Sequence, residues 1–182
     1  DPNGTTESET VEETVEETKA PDYSSMKCVA RERITNNKMG IRAMTVKNSD
    51  PMIVKAEVSK YYVALYGYNS GSAVLEITDY FGFTAKATVT VDAENEKISY
   101  TVEECKSDFI EVGLDFKAQG NGSTDDTKAF QNAVDSAKPG ETVYVYPGRY
   151  NVSLIVMREG VTLRMYTTMT DAKVGFTEKI AS

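Results

Sequence analysis

The chain has no histidine, no tryptophan and only two cysteines in 182 residues. Without histidine there is no imidazole general base, no Ser-His or Cys-His nucleophile pair, and most zinc sites are excluded. No apolar run approaches the ~18 residues that a membrane-crossing helix needs. Positive charge is also scarce, with 20 Lys+Arg against 28 Asp+Glu and a net charge of −8. The deficit is uneven. Residues 1–22 hold eight acidic residues and one lysine, which is −7, so the other residues sum to −1. A near-neutral body presents no basic face to a phosphate backbone, so nucleic acid is not an expected partner. The chain starts at Asp1 rather than Met, which leaves room for a removed leader.

Residues 1–22 read as an acidic, Glu/Thr-rich tether. Val11-Glu12-Glu13-Thr14 repeats at once as Val15-Glu16-Glu17-Thr18. Like charges repel, and few apolar groups are present to repay the entropy of ordering, so an extended, mobile segment is expected. A transient glutamate-rich helix is the alternative, weakened by a threonine at every fourth position.

Residues 23–106 show short strands with period-two alternation. Tyr61 to Tyr68 is an aromatic-rich strand closed by Asn69-Ser70-Gly71-Ser72. Ala73 to Thr78 follows, then the turn Asp79-Tyr80-Phe81-Gly82. Ala85-Lys86-Ala87-Thr88-Val89-Thr90-Val91 is the clearest alternation, repeated by Ile98, Tyr100 and Val102. This pattern predicts an antiparallel β-sandwich. Gly71 to Asp79, continued through Val91, resembles the last two strands of bacterial immunoglobulin-like surface domains, which implies an immunoglobulin-like module. Met26 to Val58 carries no comparable signal.

Residues 107–182 begin with Gly113-Leu114-Asp115-Phe116-Lys117-Ala118-Gln119-Gly120-Asn121-Gly122-Ser123-Thr124-Asp125-Asp126-Thr127. They continue with Thr142-Val143-Tyr144-Val145-Tyr146-Pro147-Gly148-Arg149-Tyr150 and Gly160-Val161-Thr162-Leu163. Ala129, Phe130, Ala133, Val134 and Ala137 recur at helical spacing, predicting a helix over 125–137 that Lys138-Pro139-Gly140 ends. Ser123 or Thr124 is the expected N-cap, with Asp125 and Asp126 at the positive end of the helix dipole. Short strands are predicted at 142–146, 150–156 and 161–165, at solenoid spacing.

This segment resembles the opening of the pectate-lyase-superfamily right-handed parallel β-helix, shared by polygalacturonases, polysaccharide lyases and phage tailspikes. The resemblance implies an all-β chain: an immunoglobulin-like sandwich, then the helix-capped first coils of a parallel β-helix, truncated at Ser182. In that family Asp115, Gly120, Gly122, Thr124, Asp125, Asp126 and Phe130 correspond to a structural motif, while catalytic carboxylates and calcium sites lie on later coils. A solenoid end exposes core side chains and strand edges, so a helix that lays Phe130 over it is an architectural device.

No residue of this chain is therefore expected to be catalytic, metal-binding or cofactor-binding. Asp115, Asp125 and Asp126 are tempting as paired carboxylates for glycoside hydrolysis, but helix capping explains Asp125 and Asp126, and Asp115 is expected to fix a loop. Arg149, Arg158 and Arg164 lack the six to eight oxygens of a calcium site beside them and are expected to be solvated. Calcium would belong to the parent's missing coils. Gly120-Asn121-Gly122 lacks the spacing of a phosphate loop.

Tyr61, Tyr62, Tyr66, Tyr68 and Tyr80 are expected to fill core and surface; a sugar-stacking platform is the alternative. Cys28 and Cys105 bracket the sandwich, and whether they bond stays open. A bond would close a large loop, but first and last strands of such folds run parallel, placing the two thiols at opposite ends. The expected whole is the extracellular or surface-attached N-terminal part of a protein acting on an acidic polysaccharide such as pectin. A binding stalk of adhesin or tailspike type, or a plain spacer, are the rivals.

Overall fold

A computed structural model describes residues 15–16, 18–105 and 109–166. Most of the expected tether, residues 1–14 and 17, lies outside the described residues. Within its remainder, Thr18 donates from N and Oγ1 to the carbonyls of Asn48 and Ser49.

Two antiparallel sheets share one apolar core. The first has the order β1 (Ala30–Thr35), β4 (Tyr62–Gly67), β3 (Val54–Val58), and the second β2 (Thr45–Asn48), β5 (Gly71–Thr78), β6 (Thr84–Asp92), β7 (Lys97–Glu103). Alternation places their faces. Val63 and Leu65 of β4 point inward to meet Ala73, Leu75 and Ile77 of β5 and Ala85, Ala87, Val89 and Val91 of β6. Gly67 lies so close to the facing sheet that a Cβ there would stand 2.9 Å from Val91. The stretch without a sequence signal contributes through isolated residues: Ile34, Met39, Ile41, Ala43 and Val54 enter the core one or two at a time. No period is visible in β1, Ala-Arg-Glu-Arg-Ile-Thr, because a single member of it is fully buried.

Cys28 and Cys105 are not bonded to each other. Cys28 precedes β1, donating to the Ala30 carbonyl. The Cys105 amide donates to Met39, in the one-turn helix α1 (Asn36–Met39) beyond the other end of that strand. Six extended residues separate the two sites by about 20 Å, well past the ~7 Å Cα limit for a disulfide.

The remainder is built from parallel pairs. β8 (Ile110–Glu111) and β12 (Thr162–Met165) flank β10 (Thr142–Val145), and β9 (Asn121–Asp125) pairs with β11 (Arg149–Asn151). Thr142 lies opposite Thr162, so the chain returns to the same sheet after about 20 residues, the repeat length of a solenoid coil. Between β9 and β10, helix α2 (Thr127–Ser136) packs Phe130 and Ala133 into a second core with Val112, Val143 and Val145.

Two local expectations need correction. The helix begins at Thr127, not Asp125, and its N-cap is Asp126 rather than Ser123 or Thr124, which lie in β9. The strand expected over 150–156 stops at Asn151. Beyond it the chain runs along α2 instead of in a ladder. Ser153 N donates to Thr127 Oγ1 and Val156 N to Gln131 Oε1, so helix side chains satisfy the amides a sheet would have used.

Candidate functional site

The motif residues gather around the entry to α2, and each carboxylate is committed to backbone amides. Asp126 is 2% exposed. Its two oxygens accept from Gln119 N (2.7 Å) and Gly120 N (3.1 Å), and it makes no side-chain bond to its own helix. It ties the loop before β9 to the start of the helix. Neighbouring Asp125 is exposed and accepts from Thr127 N at 2.9 Å; the Thr127 hydroxyl, and then this amide, hold its carboxyl below the usual range. Adjacent in sequence, the two aspartates thus act in opposite directions, one back along the chain and one forward. Asp115 accepts from Glu111 N at 2.8 Å. Thr124 is exposed, its hydroxyl accepting from Asn121 Nδ2.

Gly120 has a second duty beside its φ of +57°. A Cβ there would meet the Tyr150 ring at 2.9 Å, and one on Gly148 would meet the same ring from the other side at 2.9 Å. Tyr150 is clamped between two glycines and stands edge-on to Phe130, with ring centroids 5.2 Å apart. Its hydroxyl donates to the Tyr146 carbonyl, and burial pushes its pKa up. Gly122, at φ +79°, faces Arg149.

Sequence reasoning missed Glu111, a buried carboxylate in β8 with 1% exposure. It accepts from Gly113 N (2.7 Å), Leu114 N (2.6 Å) and Tyr146 N (3.4 Å). Burial outweighs these amides and pushes its pKa up to about 7. The one available signal was an acidic residue inside the apolar run Phe109-Ile110-Glu111-Val112.

Also missed was the seam between the two cores. The Asp79–Phe83 turn of the second antiparallel sheet enters it. Asp79, buried, accepts from Phe81 N and Phe83 N through Oδ1 and from the Tyr146 hydroxyl through Oδ2 at 2.6 Å. Burial and this bond raise the Tyr146 pKa. Phe81 packs on Tyr144 (4.8 Å) and Phe83 stacks on Phe109 (4.4 Å). Arg42 Nη1 donates to the Pro147 carbonyl at 2.6 Å. Tyr80, expected as filler, lies 5.9 Å from Tyr146 and 4.8 Å from Tyr166.

The arginines are less solvated than expected. Arg158 donates to the Asp135 and Ala137 carbonyls at the end of α2, where a cation suits the helix dipole. Arg164 lies over Phe81 at 5.5 Å. Arg149 remains exposed. Among the described residues no cluster of three or more Asp, Glu or Cys is placed to hold a metal ion. What the arrangement does chemically is hold loops, the seam and the helix in place.

Comparison with known proteins bears on this part of the chain. The family model described as rhamnogalacturonase A/epimerase, pectate lyase-like, matches residues 109–170. No curated protein matches. Among solved structures, a family 28 exopolygalacturonase of Yersinia enterocolitica matches 81% of this chain at 20% identity, with a TM-score of 0.30. The chain spans 27% of that protein's length. Residues 109–170 are therefore similar to the pectate lyase-like family, and the family match is confined to the parallel-strand part of the molecule.

Proposed function

We propose that this chain is the non-catalytic N-terminal part of a secreted or surface-attached, polygalacturonase-like protein that degrades an acidic polysaccharide. The observation that carries it is the commitment of the motif carboxylates. Asp115, Asp125 and Asp126 each hold backbone amides around a capping helix, in the segment that matches the pectate lyase-like family. A glycosidase pair must face a shared cleft about 5 Å or about 6.5–9.5 Å apart; carboxylates spent on amides serve architecture. The edge of the parallel sheet also fits. β12 lies outermost with β10 as its single partner among the described residues, so further coils would add there. An immunoglobulin-like identity for residues 23–106 belongs to the same reading, supported by the two antiparallel sheets around one core.

The test is incubation of the purified chain with polygalacturonate, with and without Ca²⁺. No unsaturated or reducing ends above background are expected. Cleavage that disappears in Asp125→Asn would overturn the reading.

A further inference from the structure

The outer face of the sheet β1-β4-β3, touched at one end by Tyr23 of the short turn Tyr23–Ser25, has an unusual composition. Register places Arg31 and Lys55 on either side of Tyr66, Arg33 beside Ala64, and Thr35 beside Tyr62. The inward members of the same strand are Val63, Leu65 and Gly67, so no tyrosine of β4 is needed for the core. Tyr62 and Tyr66 stand about 13 Å apart along the strand. Ala64 leaves a shallow depression of about 320 Å³ between them.

Both arginines lie beside rings rather than acids. Arg31 Cζ is 5.6 Å from the Tyr66 centroid and Arg33 Cζ is 5.6 Å from that of Tyr62. Neither guanidinium forms an ion pair with a carboxylate among the described residues. The acids nearby are engaged otherwise: Glu57 pairs Lys55 at 2.5 Å, and Glu32 accepts from the Arg33 backbone amide. Tyr23, stacked on Tyr68 at 5.0 Å with Lys55 near its face, continues the surface past Tyr66.

We propose that this face binds an anionic oligosaccharide built of uronate units. Aromatic rings accept the apolar faces of sugar rings. A guanidinium beside each ring supplies a planar two-donor fork of the shape a carboxylate needs. Repetition of this Tyr–Arg pair across a small central residue suits a polymer carrying one carboxylate per ring. A single-stranded nucleic acid could also stack on tyrosines. The body of the chain, however, is near neutral, and a phosphate backbone calls for a longer run of cations than two free guanidiniums. The site lies outside residues 109–170, and the choice of a uronate rests on the polysaccharide-directed role proposed above. Whether the chain cleaves such a polymer is a separate question with a separate readout.

The experiment is titration of the full chain with oligogalacturonate, followed by amide chemical shifts, with the fully methyl-esterified oligosaccharide and oligouridylate as parallel arms. Binding of oligogalacturonate at least tenfold tighter than of its ester is expected, with shifts centred on Tyr62, Ala64 and Tyr66. Arg31→Gln/Arg33→Gln and Tyr62→Ala/Tyr66→Ala should each weaken it about tenfold or more, while Arg31→Lys/Arg33→Lys keeps part of it. All these side chains are solvent-accessible, and unchanged spectra of the free variants will show that they fold. Three results would overturn the proposal: equal affinity for acid and ester, tighter binding of oligouridylate, or binding that neither double variant weakens.

Discussion

The two cores of this molecule are held by different means. The antiparallel part buries fifteen apolar residues between two sheets whose strands run four to nine residues, so ladders satisfy most of its backbone. Among the described residues, the parallel part has six buried residues in its cluster, and its strands are two to five residues long. Such short strands leave long loops, and the amides of those loops need other acceptors. Glu111 and Asp126 provide them from inside the protein, each accepting from two or more backbone N–H groups. The parallel part therefore depends on individual polar anchors, where the antiparallel part spreads its stability over many apolar contacts.

That contrast can be broken most directly at Phe130. Truncation to alanine removes the largest side chain of a small core, and a loss of about 3–5 kcal/mol is expected within the parallel part. Hydrogen exchange should show residues 109–166 losing protection while β5 and β6 keep theirs. Equal loss in both would mean the Asp79–Tyr146 seam makes them one cooperative unit.

Next in size is a pH effect at Glu111. Its unfolded carboxyl ionises near 4.5 and its folded one near 7, so between these values the folded state keeps a proton that the unfolded state has released. Stability should then fall as pH rises across that window, by roughly 3 kcal/mol in total. The lowered carboxyls, Asp22, Glu57, Asp92 and Asp125, act below it, where stability is lost as pH falls. Denaturant titrations from pH 4.5 to 8 check this. In Glu111→Gln the slope between pH 5 and 7 should flatten; an unchanged slope would assign it elsewhere.

The smallest effects sharpen the comparison within one motif. Asp126→Asn turns an amide group toward backbone N–H donors in a buried site and should cost about 1–3 kcal/mol. Asp125→Asn, at an exposed position, should cost under about 0.5 kcal/mol. Midpoints of urea unfolding separate these, and equal costs would show that burial of Asp126 carries no energetic weight.

How much of this was legible in sequence varied with local pattern. β5, β6 and β7 could be read because every second residue in them is apolar, and α2 because its apolar residues recur at helical spacing. The helix start was misplaced because Ser, Thr and Asp are all good caps. Which one serves depends on where the preceding loop is held, and the buried Asp126 holds it. The strand beyond Asn151 was over-extended because Ser153 and Val156 found acceptors on α2, a contact made across the fold. Nothing in the order of residues joined Asp79 to Tyr146, 67 positions later, or set Arg31 and Arg33 beside Tyr66 and Tyr62.

By itself, then, the sequence determined the elements whose pattern repeats over several residues, the near-neutral body behind an acidic N-terminus, and the motif that marks the parallel coils. Periodicity and charge are local properties and survive without a third dimension. Only the tertiary structure decided which carboxylates are buried, which tyrosines face out, and that the cysteines lie apart. Those outcomes depend on strand register and loop closure, which bring together residues that share no sequence neighbourhood.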